Sequence, residues 1–287
     1  MSYRESAERY RALTARTLEE YMGNPYIPKG LLTAMSYSLY NGGKRLRPCL
    51  TLAVCEMLGG DAEDALPVAC ALEMIHTYSL IHDDLPAMDD DDFRRGKPSN
   101  HKVFGEGMAV LAGDGLLSYA FEVMLSALAL HGDNPGYLEA VRSVAGGAGV
   151  CGMVAGQAED LESDRLQYIH ARKTGAIIKA AALAGAHIAN ADARQLHAIS
   201  EFGSLYGLLF QITDDILDVE GDFTAMGKTL GKDKEAHKLT YVNLYGLETA
   251  KQMAEETAQK ARNAVACFGS GANYLTELVE ITLERKH

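Results

Sequence analysis

Carboxylates are concentrated at two places in the chain. The segment 81–92, IHDDLPAMDDDD, has six aspartates among its twelve residues, and QITDDILD at 211–218 has three. Packing carboxylates together costs Coulomb repulsion, which is larger at partly buried sites. A protein tolerates that repulsion where cations neutralise the cluster, and aspartate oxygens suit Mg²⁺, a hard ion that keeps several waters. The two clusters therefore predict sites for divalent cations.

Basic residues are clustered as well, in GGKRLRP at 42–48, FRRG at 93–96, RKTG at 172–175 and the lysines of 227–238. Arginine forms forked contacts with phosphate, and lysine supplies a point charge. The Walker A pattern GxxxxGK[ST] is absent from the sequence. Acidic and basic motifs side by side favour one ligand class, a polyphosphate bridged to carboxylates through Mg²⁺. The hydrophobic surroundings favour an apolar tail on that phosphate.

Helical periodicity dominates the elements that must position these groups. The segments 67–83 and 203–218 are apolar up to their acidic ends, which is typical of buried helices. Asp214 and Asp218 are four residues apart and so share a helical face. Alternation of β type is nowhere sustained. Glycine, proline and asparagine divide the chain into about ten helices, with predicted breaks that include 59–61, 92–107 and 131–135. We therefore predict an all-α fold, with residues 1–287 as a single-domain helical bundle.

The first acidic segment cannot be one regular helix if its aspartates converge. Asp83 and Asp89 would lie about 240° apart on an ideal helix. Pro86 disrupts helical hydrogen bonding and pushes the preceding residue out of the αR region. We therefore expect the helix to end or bulge near Leu85 and the chain to return Asp89 toward Asp83. His76 precedes Asp83 by two helical turns, so we expect it in the same cavity.

Composition excludes several other functions. The net charge of −12 argues against nucleic acid or an anionic membrane as a bulk electrostatic partner. The longest uncharged stretch, 143–158, is short and glycine-rich, whereas a membrane span needs about 20 apolar residues; we predict no span. Five cysteines without a CxxC pair argue against a disulfide framework and against a zinc site. They favour a reducing, cytoplasmic setting.

The motifs together resemble those of the trans-isoprenyl diphosphate synthases over almost the whole chain, and most closely those of the bacterial farnesyl diphosphate synthases. The matching motifs are GGKRLRP at 42–48, DDLPAMD at 83–89 followed by RRG, GQAEDL at 156–161, KT at 173–174 and QITDDILD at 211–218. The resemblance implies an all-helical fold around a central cavity. It also implies that the two Asp motifs face each other across the cavity mouth and share three Mg²⁺ ions, for which Mn²⁺ is the substitute.

The resemblance further implies roles for individual residues. The metal ligands would be the aspartates of both motifs: Asp83, Asp84, Asp89, Asp214, Asp215 and Asp218. The isopentenyl diphosphate would contact Lys44, Arg47, His76 and Arg95, and Gly43 would be a further substrate-binding residue. The allylic diphosphate would contact Arg94, Lys173, Thr174, Gln211, Lys228 and Lys238. The implied catalytic set is Asp83, Asp84, Asp214, Lys173 and Arg94. The roles of three further residues stay open: Gln157, Asp160 and Arg285.

The implied reaction joins isopentenyl diphosphate head-to-tail to dimethylallyl and geranyl diphosphate, giving farnesyl diphosphate (C15) and pyrophosphate in a homodimeric enzyme. In the resembled family an aromatic residue at the position of Tyr78 forms the pocket floor for a C15 product, and Ser79 leaves space beside it. The alternative is a geranylgeranyl diphosphate synthase (C20) with a deeper pocket. A non-catalytic subunit of a heteromeric prenyl synthase is disfavoured because both Asp motifs are intact. A terpene cyclase is disfavoured because its Asn/Ser/Glu metal motif is missing at the second site.

Overall fold

The computed structural model describes residues 2–162, 165–220 and 240–285, and these ranges are almost entirely helical, which confirms the all-α fold. The helices are α1 (Tyr3–Met22), α2 (Lys29–Leu39), α3 (Leu46–Met57), α4 (Ala62–Asp83), α5 (Asn100–Phe104), α6 (Glu106–Leu130), α7 (Pro135–Ala148), α8 (Met153–Glu162), α9 (Leu166–His170), α10 (Ala176–Ile188), α11 (Ala193–Glu220), α12 (Tyr241–Tyr245), α13 (Leu247–Val265) and α14 (Asn273–Glu284). The strands β1 (Phe93–Arg94) and β2 (Lys97–Pro98) form an antiparallel hairpin. A π-helical turn, Ala171–Gly175, precedes α10, and a 3₁₀ segment, Ala266–Ala272, precedes α14.

Helix starts follow local capping chemistry. The Asp61 carboxylate accepts the backbone N–H of Glu63 at the start of α4, and the Asn134 side chain accepts that of Gly136 at the start of α7. Each cap satisfies one of the backbone donors that a helix leaves unpaired in its first turn. The predicted breaks at 59–61 and 131–135 are thereby confirmed. The predicted break at 92–107 is wrong in part, because α5 and the start of α6 lie within it.

Helix α4 is the central element of the core. It is buried along nearly its whole length and on every side, as expected for a helix with no polar face. It packs mainly against α6 and α3, while α10 packs against α3, α7 and α11. At Gly185 of α10 an added Cβ would lie 2.2 Å from the Thr51 carbonyl oxygen of α3. The two helices can therefore approach this closely only with glycine there.

Two helical stretches, Glu106–Leu130 and Pro135–Glu162, are long and apolar enough to cross a membrane by length and composition alone. Core helices of soluble proteins meet the same test, and α6 and α7 each bury one face against the core described above. The two stretches are weak evidence for a span. The absence of a membrane span stays a prediction.

Candidate active site

The first acidic segment folds back on the end of α4. The helix ends at Asp83, and the Asp89 backbone N–H then donates to the Asp83 carbonyl oxygen at 2.9 Å. The Asp91 N–H donates to the Asp84 carbonyl oxygen at 3.2 Å. Asp90, between them, has a φ of 47°. The expected return of Asp89 toward Asp83 is confirmed, and it takes the form of a loop that reverses over the helix end.

Asp84 is buried and paired with Arg94. Arg94 Nε donates to Asp84 Oδ1 at 2.9 Å, Nη2 donates to the same oxygen, and Nη2 also lies 3.3 Å from Asp91 Oδ2. Burial acts against the charged form of Arg94, but the hydrogen bond and charge of Asp84 outweigh it and raise the Arg94 pKa. The structure thus joins a predicted metal ligand to a predicted allylic-diphosphate contact.

Asp83 is half-buried, and charges of both signs act on its carboxylate. Burial raises the pKa of Asp83; the Lys173 ammonium opposes that rise, and the Asp89 carboxylate adds to it. A carboxylate so placed is stabilised by any cation that binds beside it. The oxygen-only donor set of Asp83 and Asp89 therefore fits Mg²⁺ better than a softer metal ion.

Lys173 lies on the π-helical turn and connects α8 to this site. Its Nζ donates to Asp160 Oδ2 of α8 at 2.7 Å. A Cβ at Gly156 of α8 would lie 2.1 Å from the Lys173 backbone nitrogen, so the close approach requires glycine. Burial lowers the pKa of His170 to about 4. The Asp160 and Asp214 carboxylates oppose that shift, and the Lys173 ammonium adds to it. The π-turn therefore lies near both Asp160 and the second acidic motif.

The three aspartates of the second motif have different environments. Asp214 is exposed on α11, and its Oδ1 accepts from Arg285 Nη2 at 2.7 Å. Asp215 is buried, and its Oδ2 accepts the N–H of Tyr241 at 2.7 Å, which ties the start of α12 to α11. Asp218 is half-buried, one turn beyond Asp214. Gln211 and Thr174, two further predicted contacts, are also half-buried.

The loop before α3 presents the predicted isopentenyl diphosphate contacts. Gly42 and Gly43 have φ values of 71° and 113°, and Arg95 Nη1 donates to the Gly42 carbonyl oxygen at 2.5 Å. A Cβ at Gly43 would lie 2.6 Å from that Nη1, so a larger residue would displace the end of the Arg95 side chain, and the φ of 113° itself favours glycine. Arg95 and Gly96 themselves form the two-residue turn of the β1–β2 hairpin, with φ values of 53° and 74°, the signs that a type I′ turn needs.

His76 and Arg47 belong to one half-buried basic cluster. Burial lowers the pKa of Arg47 to about 10; Glu73 opposes that shift and Arg95 adds to it. The His76 pKa lies well below 6.5, first because of burial and then because of Arg47 and Arg95. His76 is therefore neutral at pH 7 and can donate one N–H to an anion. The Arg47 Nε is buried and has no hydrogen-bond partner among the described residues.

Lys44 connects this loop to the second acidic motif. Burial and the charge of Arg285 lower its pKa, while the charge of Asp214 opposes the shift. The predicted isopentenyl diphosphate contact Lys44 therefore lies within electrostatic range of the predicted metal ligand Asp214. Lys228 and Lys238 lie outside the described residues.

Sequence reasoning passed over several residues of this region. Among the described residues, Asp90, Asp92 and His101 place one possible ligand atom each within 4.8 Å of one another, and Lys102 Nζ lies 2.6 Å from Asp92 Oδ1. The sequence provided no support for His101, because no spacing links it to the motifs. Arg45 was also not assigned a role, although it lies inside the GGKRLRP motif, which is the sequence signal that could have identified it.

Comparison with known proteins agrees with this geometry. The family model described as Polyprenyl synthetase matches residues 28–269. A farnesyl diphosphate synthase of Geobacillus stearothermophilus is 48% identical over 91% of this chain and 92% of its own length. The large subunit 1 of a chloroplastic heterodimeric geranylgeranyl pyrophosphate synthase of Arabidopsis thaliana is 47% identical over 85% of this chain and 68% of its own. The crystal structure of an FPP/GFPP synthase from Zymomonas mobilis superposes with a TM-score of 0.86 at 36% identity, covering 98% of both chains.

Proposed function

The chain belongs to the polyprenyl synthetase family, and from that premise we propose that it is a farnesyl diphosphate synthase. It joins isopentenyl diphosphate head-to-tail to dimethylallyl diphosphate, and then to the C10 product, which gives the C15 diphosphate and pyrophosphate. The observation that carries the proposal is convergence. Arg94 binds Asp84 at 2.9 Å, directly after α4, and Arg285 binds Asp214 of α11 at 2.7 Å. Carboxylates of both acidic motifs are thus paired with cations from distant segments of the chain.

The proposed cofactor is Mg²⁺, at three ions per site. Asp83 and Asp89 would hold it on the α4 side, and Asp214 and Asp218 on the α11 side. Asp84 and Asp215 each use one carboxylate oxygen in a protein contact, and their other oxygen would be the one that serves an ion. When bound, Mg²⁺ neutralises the charge that develops on the departing diphosphate.

The side chains of the chain itself bind, orient and exclude water. Lys173 and Arg94 hold the allylic diphosphate and stabilise the negative charge that builds as its C–O bond breaks. Lys44, Arg47 and neutral His76 hold the isopentenyl diphosphate so that its double bond attacks the allylic C1. The new C–C bond takes the electron pair of that double bond, and a proton then leaves to the released pyrophosphate. Apolar walls matter because water would quench the allylic cation.

An assay with isopentenyl and dimethylallyl diphosphates, with and without Mg²⁺, tests this function. We expect Mg²⁺-dependent release of pyrophosphate and a C15 alcohol after dephosphorylation and chromatography. A main product of C20 would transfer the assignment to geranylgeranyl diphosphate synthesis. Absence of condensation by the isolated chain would favour the non-catalytic subunit.

Product length is expected to depend on Tyr78. This ring is buried on α4, lies about one turn below Asp83, and packs edge-on against His82 with centroids 5.7 Å apart. Replacing a ring by a methyl leaves a cavity that an apolar chain can fill, so Tyr78→Ala should shift the products from C15 toward C20 and longer. Ser79→Phe should shorten them toward C10 by adding bulk at the same level.

Tyr137→Ala is the matched control for the chain-length prediction, since Tyr137 is an equally buried tyrosine on α7. It should lower thermal stability and leave the product at C15. A Tyr78→Ala enzyme that still stops cleanly at C15 would show that the pocket floor lies elsewhere.

We also propose that the enzyme is a cytoplasmic homodimer. Several large apolar side chains stay exposed on α6 and α7, among them Leu111, Leu125, Leu130 and Leu138. A second copy of the chain would cover them and remove their apolar surface from water. Sedimentation of the unmodified chain and of Leu111→Glu checks the proposal: a monomer in both would contradict it.

A further inference from the structure

A buried ion pair lies beneath the basic loop at 42–48. Arg45 Nη1 donates to Glu73 Oε1 of α4 at 2.5 Å, and Nη2 donates to the Leu39 carbonyl oxygen, at the end of α2, at 2.6 Å. The two side chains are 12% and 2% exposed. Buried pairs of this kind are intolerant of losing one partner, because the other is left charged and unpaired. The guanidinium therefore ties the loop to two helices at once.

The backbone of Arg45 is as unusual as its side chain. It has φ 50° and ψ 40°, in the left-handed region, directly before α3 begins at Leu46. A residue with a Cβ pays a free-energy cost in that conformation and needs surrounding contacts to persist in it. Lys44 lies just before this reversal and Arg47 lies in the first turn of α3, just after it. The relative position of both cations therefore depends on the conformation of one residue.

Glu73 also acts on the basic cluster as a whole. It precedes His76 by three residues on α4, so both side chains lie on one face of that helix. Burial lowers the pKa of Arg47 and of Arg95, and in each case the charge of Glu73 opposes that shift. A buried carboxylate thus offsets part of the cost of burying guanidinium groups where an anion would bind.

We propose that Arg45 and Glu73 are positioning residues for the isopentenyl diphosphate subsite. The pair locks the left-handed turn, and the locked turn holds Lys44 and Arg47 at the spacing that a diphosphate bridges. Both side chains are buried below the loop and act through those two cations. The proposal rests on the proposed function, whose isopentenyl subsite it refines.

Binding of isopentenyl diphosphate alone, measured by calorimetry without the allylic substrate, tests the pair directly. Arg45→Gly permits the left-handed backbone but removes the clamp; we expect its Kd and its KM for isopentenyl diphosphate to rise about tenfold, with kcat and the KM for geranyl diphosphate within about twofold. Glu73→Gln should show the same selectivity. Arg45→Lys keeps the charge and one hydrogen bond and should recover most of the affinity.

Asn190→Gly is the matched control, because Asn190 is an exposed residue that also has a positive φ, of 54°. It should leave both KM values unchanged. An Arg45→Gly protein with the unmodified Kd, or one in which both KM values rise equally, would overturn the proposal. If that variant does not fold, Glu73→Gln decides by the same criterion.

The two proposals fail in distinguishable ways. An unmodified chain that binds isopentenyl diphosphate but forms no product contradicts the proposed function, while the Kd series still decides the role of the pair. An unmodified chain that does not bind isopentenyl diphosphate overturns the positioning role as well.

Discussion

Asp83→Ala should reduce turnover by roughly a thousandfold or more, the largest effect expected of any single substitution in this chain. The carboxylate lies at the end of α4, beside Asp89 and within the field of Lys173. Its removal deletes a ligand from a site at which charge must be neutralised while the C–O bond breaks. Asp214→Ala should behave similarly and should slow ionisation of the allylic substrate most.

Removal of the Asp83 carboxylate should leave the fold intact, so that loss of activity can be distinguished from loss of stability. Because burial raises the folded-state pKa of Asp83 above its ordinary value, the ionised form destabilises the folded state at pH 7. That penalty appears as the pH rises through the pKa, and a neutral side chain avoids it. In EDTA, Asp83→Asn should therefore melt no lower than the unmodified protein.

Asp133→Ala, at an exposed carboxylate in the α6–α7 connection, is the control and should keep full activity. Steady-state rates at saturating Mg²⁺ and thermal melts of the same preparations provide both readouts. Near-normal turnover of the Asp83→Ala enzyme at saturating Mg²⁺ would remove this residue from the metal site.

The second large effect expected is that two substitutions weaken the binding of different substrates. Arg47→Ala should raise the KM for isopentenyl diphosphate more than that for the allylic substrate, and Lys173→Ala should do the reverse. Each loses a charge-assisted contact of about 1.5–3 kcal/mol, or roughly ten- to a hundredfold in affinity. The structure supports the division, since the Arg47 Nε is buried without a partner among the described residues while Lys173 lies near Asp83.

Initial rates with each substrate varied at saturating concentrations of the other measure the division. Arg16→Ala removes an exposed arginine that pairs with Glu63 on the surface and should change neither KM, because exposed pairs contribute little. Equal increases in both KM values for Arg47→Ala and Lys173→Ala would mean that the basic residues do not form two separate subsites.

Features determined by neighbours along the chain were predictable from the sequence. The buried helix before Asp83 follows from an apolar run, and the return of Asp89 follows from Pro86, which cannot continue a helix. The placement of Asp214 and Asp218 on one face of α11 follows from the helical period. Each of these depends on residues within two helical turns of one another, where backbone geometry leaves few alternatives.

Contacts between distant segments were decided only by the tertiary structure. The sequence motifs assign Asp84 to metal and Arg94 to the allylic diphosphate. In the structure the β-hairpin brings the two side chains together as an ion pair. Arg285 reaches Asp214 from the far end of the chain, 71 positions away. The clamp of Arg45 on Glu73 spans three elements and could not be read from GGKRLRP.

The physical reason lies in what sets each kind of contact. A helical period or a proline acts through local dihedral angles, so it is legible in a short stretch of sequence. The partner of a buried charge is chosen by which helices can pack closely. That packing depends on glycines such as Gly156 and Gly185, where a Cβ would lie 2.1 Å and 2.2 Å from the backbone of another segment. Desolvation in the packed interior then makes pairing obligatory for charges that would stay hydrated and independent on an open helix.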